Sequence, residues 1–143
     1  MADTDMKIYF SGSVSGGRKD VGLYLQIILQ LKEHGLVLTE HIGDAGLDAR
    51  GEPGLSNVEI HDRDLAWLRQ ADCLVAEVTI PSLGVGYEIG KATEWGKSVL
   101  CLFRTGSGSM LSPMIAGSNG AVLREYRNVG ELKEIFDEFF NSR

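Results

Sequence analysis

The run from Asp72 to Val78 constrains the fold most, because it is apolar and β-branched without the alternation of a half-exposed strand. Such a strand is buried on both faces, which points to a parallel sheet covered by helices on each side. The rest of the chain alternates accordingly. Lys7 to Phe10 reads as a strand, followed by a glycine loop and a helix from Val21 to Glu33 with Leu25, Ile28 and Leu29 at helical spacing. Gly35 stops that helix and Leu36 to Thr39 forms a second strand. A Gly- and Asp-rich loop from Gly43 to Gly54 precedes a helix capped by Ser56 or Asn57 and running to about Gln70. After the central run come a loop from Thr79 to Gly86, a helix to about Trp95 and a strand from Ser98 to Phe103. A short helix at Ser112-Pro113, a strand near Ala121 to Leu123 and a last helix complete the order. That last helix carries Leu132, Ile135, Phe136 and Phe139 on one stripe.

The expected fold is α/β: a three-layer, Rossmann-like or flavodoxin-like arrangement with a five-stranded parallel sheet. One domain over residues 1–143 is expected, with residues 1–5 as a disordered tail. Ligands of such sheets bind at the carboxyl ends of the strands, so the residues that matter should sit in or just after the loops leaving them. The 18 glycines, against 3 prolines, cluster at those hand-over points.

Charge and cysteine usage narrow the partners. A net charge of −6 argues against a nucleic-acid polymer, whose binding relies on clustered Lys and Arg. No apolar run approaches the roughly 18 residues of a membrane span, and Met1 to Asp5 lack the basic and apolar regions of a signal peptide. Cys73 and Cys101 lie inside apolar runs and read as buried reduced thiols, which fits the cytoplasm or nucleus. Neither cysteine nor histidine spacing suggests a metal site, and none is expected.

The loop Gly12-Ser13-Val14-Ser15-Gly16-Gly17-Arg18-Lys19 leaves a strand and enters a helix, where amides and the helix dipole favour a phosphate. It lacks the spacing of a dinucleotide fingerprint. It is nearly a P-loop, but Arg18-Lys19 stands where Lys-Ser/Thr would hold Mg²⁺. Ser13, Ser15 and Arg18 remain as donors for a monophosphate; a tight turn without a ligand fits the loop equally well.

Glu88, in Pro81-Ser82-Leu83-Gly84-Val85-Gly86-Tyr87-Glu88, would lie in the first turn of its helix. A carboxylate there could act as a nucleophile, although a glutamate that merely complements the dipole is the simpler reading of the residues alone. Gly84, Gly86 and Gly90 allow close approach of a backbone or ligand. Asp64 shares a stripe with Ile60, Trp67 and Ala71, so desolvation should keep it protonated as a general acid, unless it is a buried cap or ion-pair partner. Asp62 and Arg63 read as solvated charges. Tyr9 is core by default, with a hydroxyl able to orient a carboxylate. Ser112-Pro113 starts a helix and offers a second anion contact. His34 reads as surface, His41 borders the cleft, and His61 reads as a packed core residue beside Val58, Leu65 and Leu68.

Tyr9-Phe10-Ser11-Gly12-Ser13, Leu38-Thr39-Glu40-His41, Asp64-Leu65-Ala66-Trp67-Leu68, Ala76-Glu77-Val78 and the Ser82 to Glu88 string together resemble one family. It is the 2′-deoxynucleoside 5′-monophosphate N-glycosidase family, related to nucleoside 2-deoxyribosyltransferases, and the likeness runs from about Lys7 to Ile115. The resemblance implies hydrolysis of the bond between base and deoxyribose 5-phosphate without a cofactor. It makes Glu88 the nucleophile at C1′, Tyr9 its positioning group, and Asp64 the group that protonates the leaving base and helps water attack. Gly12, Ser13, Val14, Ser15, Gly16, Gly17 and Arg18, with Ser82 and Gly84, would hold the 5′-phosphate. His41 and Ile60 would line the base pocket, and in a homodimer Ser112 and Met114 would arrive from the partner subunit. The family commonly carries Arg where this sequence has Ser15. Two other functions remain open: a deoxyribosyltransferase on unphosphorylated nucleosides, and a non-catalytic nucleotide-binding module.

Overall fold

A computed structural model describes residues 6–13, 20–39 and 54–142. The expectations for residues 1–5, for Val14 to Lys19 and for the loop containing His41 lie outside the described residues. The elements run β1 (Lys7–Ser11), α1 (Val21–Leu31), β2 (Leu36–Val37), α2 (Asn57–Gln70), β3 (Cys73–Glu77), α3 (Leu83–Glu94), β4 (Ser98–Arg104), α4 (Pro113–Ala116), β5 (Val122–Tyr126) and α5 (Leu132–Asn141). The five strands form one sheet in the order β2-β1-β3-β4-β5, every described pair parallel. β3 is central and buried along its whole length, as its unbroken apolar run requires. Its neighbour β1 is the point at which the strand order reverses, and ligand crevices in open α/β sheets form at such a point.

Alternation along β1 sorts its side chains between two cores. Ile8 and Phe10 pack with α1 and α5, whereas Tyr9 faces the opposite layer with Leu68 of α2 and Val85 and Ile89 of α3. The stripe Leu132, Ile135, Phe136 and Phe139 of α5 is buried as the sequence predicts. Cys73 and Cys101 are buried free thiols, and burial pushes Cys101 up to about 12.

Four local expectations need correction. The buried face of α1 is Tyr24, Ile27, Ile28 and Leu31, while Leu25 and Leu29 are 46% and 55% exposed. The second strand ends at Val37, not Thr39, because Thr39 turns its hydroxyl onto the backbone of Phe10. That hydroxyl accepts from the Phe10 amide at 2.8 Å and donates to the Phe10 carbonyl at 2.5 Å, replacing a ladder rung with a side chain. His61 is exposed rather than packed in the core. It lies on the outer side of α2, where Nε2 meets the Tyr87 hydroxyl at 3.0 Å. His34, expected at the surface, is partly covered, with its ring stacked on Phe140 at 4.5 Å.

The entry to the glycine loop is fixed by close packing. A methyl at Gly12 would lie 2.9 Å from the buried Tyr24 ring, and the Tyr24 hydroxyl accepts from the Ser13 amide at 3.1 Å. Gly12→Ala should therefore displace that ring and lower the denaturant midpoint by the equivalent of about 1–3 kcal/mol. An unchanged midpoint would contradict the packing described.

Candidate active site

Side chains two apart on a strand share a face, so Tyr9 and Ser11 both point from β1 toward α3. They meet Glu88 there. The Tyr9 hydroxyl donates to Glu88 Oε2, and the Ser11 hydroxyl donates to Oε1 at 2.7 Å. Both donors are only 2% exposed. Burial raises the Glu88 pKa to about 7, opposed by the hydrogen bonds from Tyr9 and Ser11 and assisted by the negative charge of Asp64. Tyr9 is pushed well above the usual tyrosine range, by burial first and then by the charges of Glu88 and Asp64, so it remains a neutral donor.

Glu88 does not sit where the sequence placed it. Ser82 caps α3, its Oγ accepting from the Val85 amide at 3.3 Å, so the helix begins at Leu83 and Glu88 belongs to the second turn. The helix dipole, which acts mainly within the first turn, is therefore not its principal support; the two hydroxyls of β1 are.

Asp64 takes the ion-pair alternative of the readings its sequence position allowed. Its stripe on α2 is not apolar surroundings for an isolated carboxyl, because Arg63 folds over it. Arg63 Nη2 and Nε donate to Asp64 Oδ1 at 2.9 and 3.0 Å, and the guanidinium lies 4.7 Å above the Trp67 ring. Arg63 is thus a partner of the site rather than a solvated charge. The negative charge of Asp64 acts on both Tyr9 and Glu88. Ile60, half-buried, lies one turn before Asp64.

The remaining predicted residues divide. Gly12 and Ser13 are buried just past the carboxyl end of β1, against Tyr24. Val14, Ser15, Gly16, Gly17, Arg18 and His41 fall outside the described residues. Ser82 and Gly84 open α3, and Ser112 caps α4 as expected, with Pro113 in its first turn and Oγ accepting from the Met114 amide. Ser112 and Met114 are not brought to Glu88 within the chain. They line a groove of about 830 Å³ with Ile80, Leu83, Gly86 and Gly90. Gly86 and Gly90 each lie two residues from Glu88, hence on roughly the opposite side of α3. This groove is therefore not where the reactive groups meet.

Sequence reasoning missed Ser11 and Glu77. The first was available from the alternation of β1, and the second was a lone carboxyl inside a fully buried strand. Glu77 is 0% exposed; it accepts from the Thr79 amide at 2.7 Å and from the Tyr126 hydroxyl, and burial raises its pKa. Beside it, Arg104 pairs with Asp20 at 3.2 Å, tying the start of α1 to the end of β4.

Comparison with known proteins adds an independent line. The sequence profile described as nucleoside 2-deoxyribosyltransferase matches residues 8–132. A 5-hydroxymethyl-dUMP N-hydrolase of Tetraodon nigroviridis is 47% identical over 142 residues, covering 96% of this chain and 99% of that protein. The Mus musculus protein of the same name is 58% identical over 112 residues, which cover 78% of this chain and 65% of the mouse protein. Among solved structures, a Clostridium botulinum CMP N-glycosidase, BcmB, matches with a TM-score of 0.63 at 19% identity, covering 93% of this chain and 98% of that one. At that identity the likeness shows the fold alone.

The buried carboxylate has a consequence for stability. Native Glu88 keeps its proton to about pH 7, whereas the unfolded side chain releases it near 4.5. The native state thus binds more protons in that window, and stability falls as the pH rises through it. Glu88→Gln escapes this loss, so its melting temperature should exceed that of the wild type by a few degrees above about pH 7.5 and by less near pH 5. Equal melting temperatures at the higher pH would contradict the burial of a charge at this position.

Proposed function

The chain belongs to the nucleoside 2-deoxyribosyltransferase family, and from that premise we propose that it hydrolyses 2′-deoxynucleoside 5′-monophosphates to free base and 2-deoxyribose 5-phosphate. The observation that carries the reading is Glu88, a largely covered carboxylate held by two hydroxyls at the carboxyl end of the sheet, within the electrostatic influence of Asp64. The names of the relatives support the nucleotide substrate, and 5-hydroxymethyl-dUMP is the first compound to try.

In this mechanism a Glu88 oxygen attacks C1′ as the C1′–N bond breaks and its electron pair leaves with the base. The departing base takes a proton from solvent that Asp64 relays to it. Water then attacks C1′, Asp64 takes the water proton, and the C1′–O bond breaks to return the electron pair to Glu88. Two carboxyl groups dividing nucleophilic and acid–base work is the logic of a retaining glycosidase. Tyr9 orients the nucleophile throughout. The glycine loop from Gly12 to Arg18, with Ser82 and Gly84, holds the 5′-phosphate through amides and hydroxyls at helix starts. His41 and Ile60 line the base.

The reading includes a homodimer. The groove that carries Ser112 and Met114 is apolar and open, Leu83 and Met114 being 96% and 82% exposed, and among the described residues a methyl group at Gly86 or Gly90 would meet no neighbour. A second copy seated there would bring Ser112 and Met114 to its partner's site. Sedimentation velocity should give a dimer, and Gly90→Arg should give a folded monomer with greatly reduced activity. A monomeric, fully active wild type would overturn this part.

The substrate test is a panel of 5′-deoxynucleotides, 5′-ribonucleotides, and unphosphorylated deoxynucleosides with an acceptor base. Deoxynucleotides should yield free base, and ribonucleotides should react poorly. Exchange of bases on nucleosides without hydrolysis would favour a transferase instead. Asp64→Asn should lower kcat by about 10²–10⁴-fold, and kcat/KM should fall as the pH drops below about 7, where Glu88 takes up its proton. Full activity of Glu88→Ala would sink the mechanism.

A further inference from the structure

The mechanism above assigns Ser11 no part in its steps, yet its hydroxyl touches the central carboxylate. A carboxyl group carries two oxygens and rotates about its last carbon–carbon bond. One donor leaves that rotation largely free; donors on both oxygens fix the plane. Here Oε2 takes the Tyr9 hydroxyl and Oε1 takes that of Ser11 at 2.7 Å. The two donors stand two residues apart on β1, where Tyr9 pairs with Leu74 and Ser11 with Ala76 of β3, so the sheet sets their spacing. At 2% exposure the Ser11 side chain is shielded from water that could compete for the same oxygen.

We propose that Ser11 is a positioning residue for Glu88, its hydroxyl fixing Oε1 so that the carboxylate presents one defined face to C1′. The proposal rests on Glu88 being the nucleophile. When Glu88 forms its bond to C1′, the electron pair comes from a carboxylate oxygen and the C1′–N pair leaves with the base. When water attacks C1′, the C1′–O pair returns to the carboxylate and the water proton passes to Asp64. The hydroxyls of Ser11 and Tyr9 then receive the returning negative charge, so Ser11 assists the second step as well as orienting the first. The groups that face Glu88 are Tyr9 from β1 and Asp64 from α2 with its Arg63 partner; of these only Asp64 opposes ionisation, and Ser11 acts against it together with Tyr9.

The test compares wild type, Ser11→Ala and Ser11→Thr by two measurements. The first follows the Glu88 carboxyl carbon by NMR across pH and needs no turnover. The second is kcat and KM on a deoxynucleotide. Ser11→Ala should move the Glu88 titration, and with it the acid limb of kcat/KM, up by about one pH unit. It should lower kcat by about tenfold or more with little change in KM, as expected for loss of a hydrogen bond to a charged group away from the phosphate. Ser11→Thr keeps the hydroxyl and should restore both. An unmoved titration in Ser11→Ala, or a threonine variant that behaves like alanine, would overturn the proposal by showing that packing rather than the hydroxyl matters. If the wild type releases base from no nucleotide, the functional reading fails, while the titration still decides what Ser11 does to Glu88.

Discussion

The structure turns on the cost of burying one carboxylate. A negative charge removed from water is strongly unfavourable unless hydrogen bonds replace its hydration. Glu88 receives two, from Tyr9 and Ser11, on a strand held in register by β3. Their combined effect is incomplete, because burial and the nearby Asp64 still raise Glu88 to about 7. A poorly hydrated carboxylate poised near neutrality is a better nucleophile than a well-solvated one, and its partial destabilisation is the usual company of a functional group.

Much of the remaining architecture serves to keep that carboxylate in place. The reversal of strand order at β1 opens the crevice, and the Ser82 cap starts α3 early enough to bring Glu88 level with the end of β1. A second buried carboxylate, Glu77, holds the turn at Thr79 just before that cap, while the Arg104–Asp20 pair anchors the exit of the glycine loop. The net charge of −6 is compatible with the proposed anionic ligand, because amides and hydroxyls at helix starts can hold a phosphate without a basic surface.

The fold was largely legible in the sequence. The unbroken apolar run of β3 and the stripe of α5 led directly to a covered parallel sheet, since both patterns report burial geometry. The site was legible only in part. Tyr9, Asp64 and Glu88 could be named, but their environments could not, because contacts between distant segments leave little trace in local pattern. The start of α3 was set by a serine cap that the glycines obscured, which moved Glu88 out of the first turn. Arg63 follows the same logic: adjacent residues on a helix ordinarily diverge, yet a long guanidinium over Trp67 bends back to its neighbour. Ile60 and His61 show how a helix face is decided by what packs on it, with the former partly covered and the latter turned to Tyr87.

The central claim is that Glu88 becomes covalently attached to the sugar. Its most direct measurement is rapid acid quenching of the enzyme during turnover of a deoxynucleotide, followed by mass spectrometry of the peptides. A deoxyribosyl phosphate adduct on the peptide containing Glu88, absent from Glu88→Ala, is the predicted result. Release of base with an adduct on another residue, or undiminished turnover by Glu88→Ala, would contradict it.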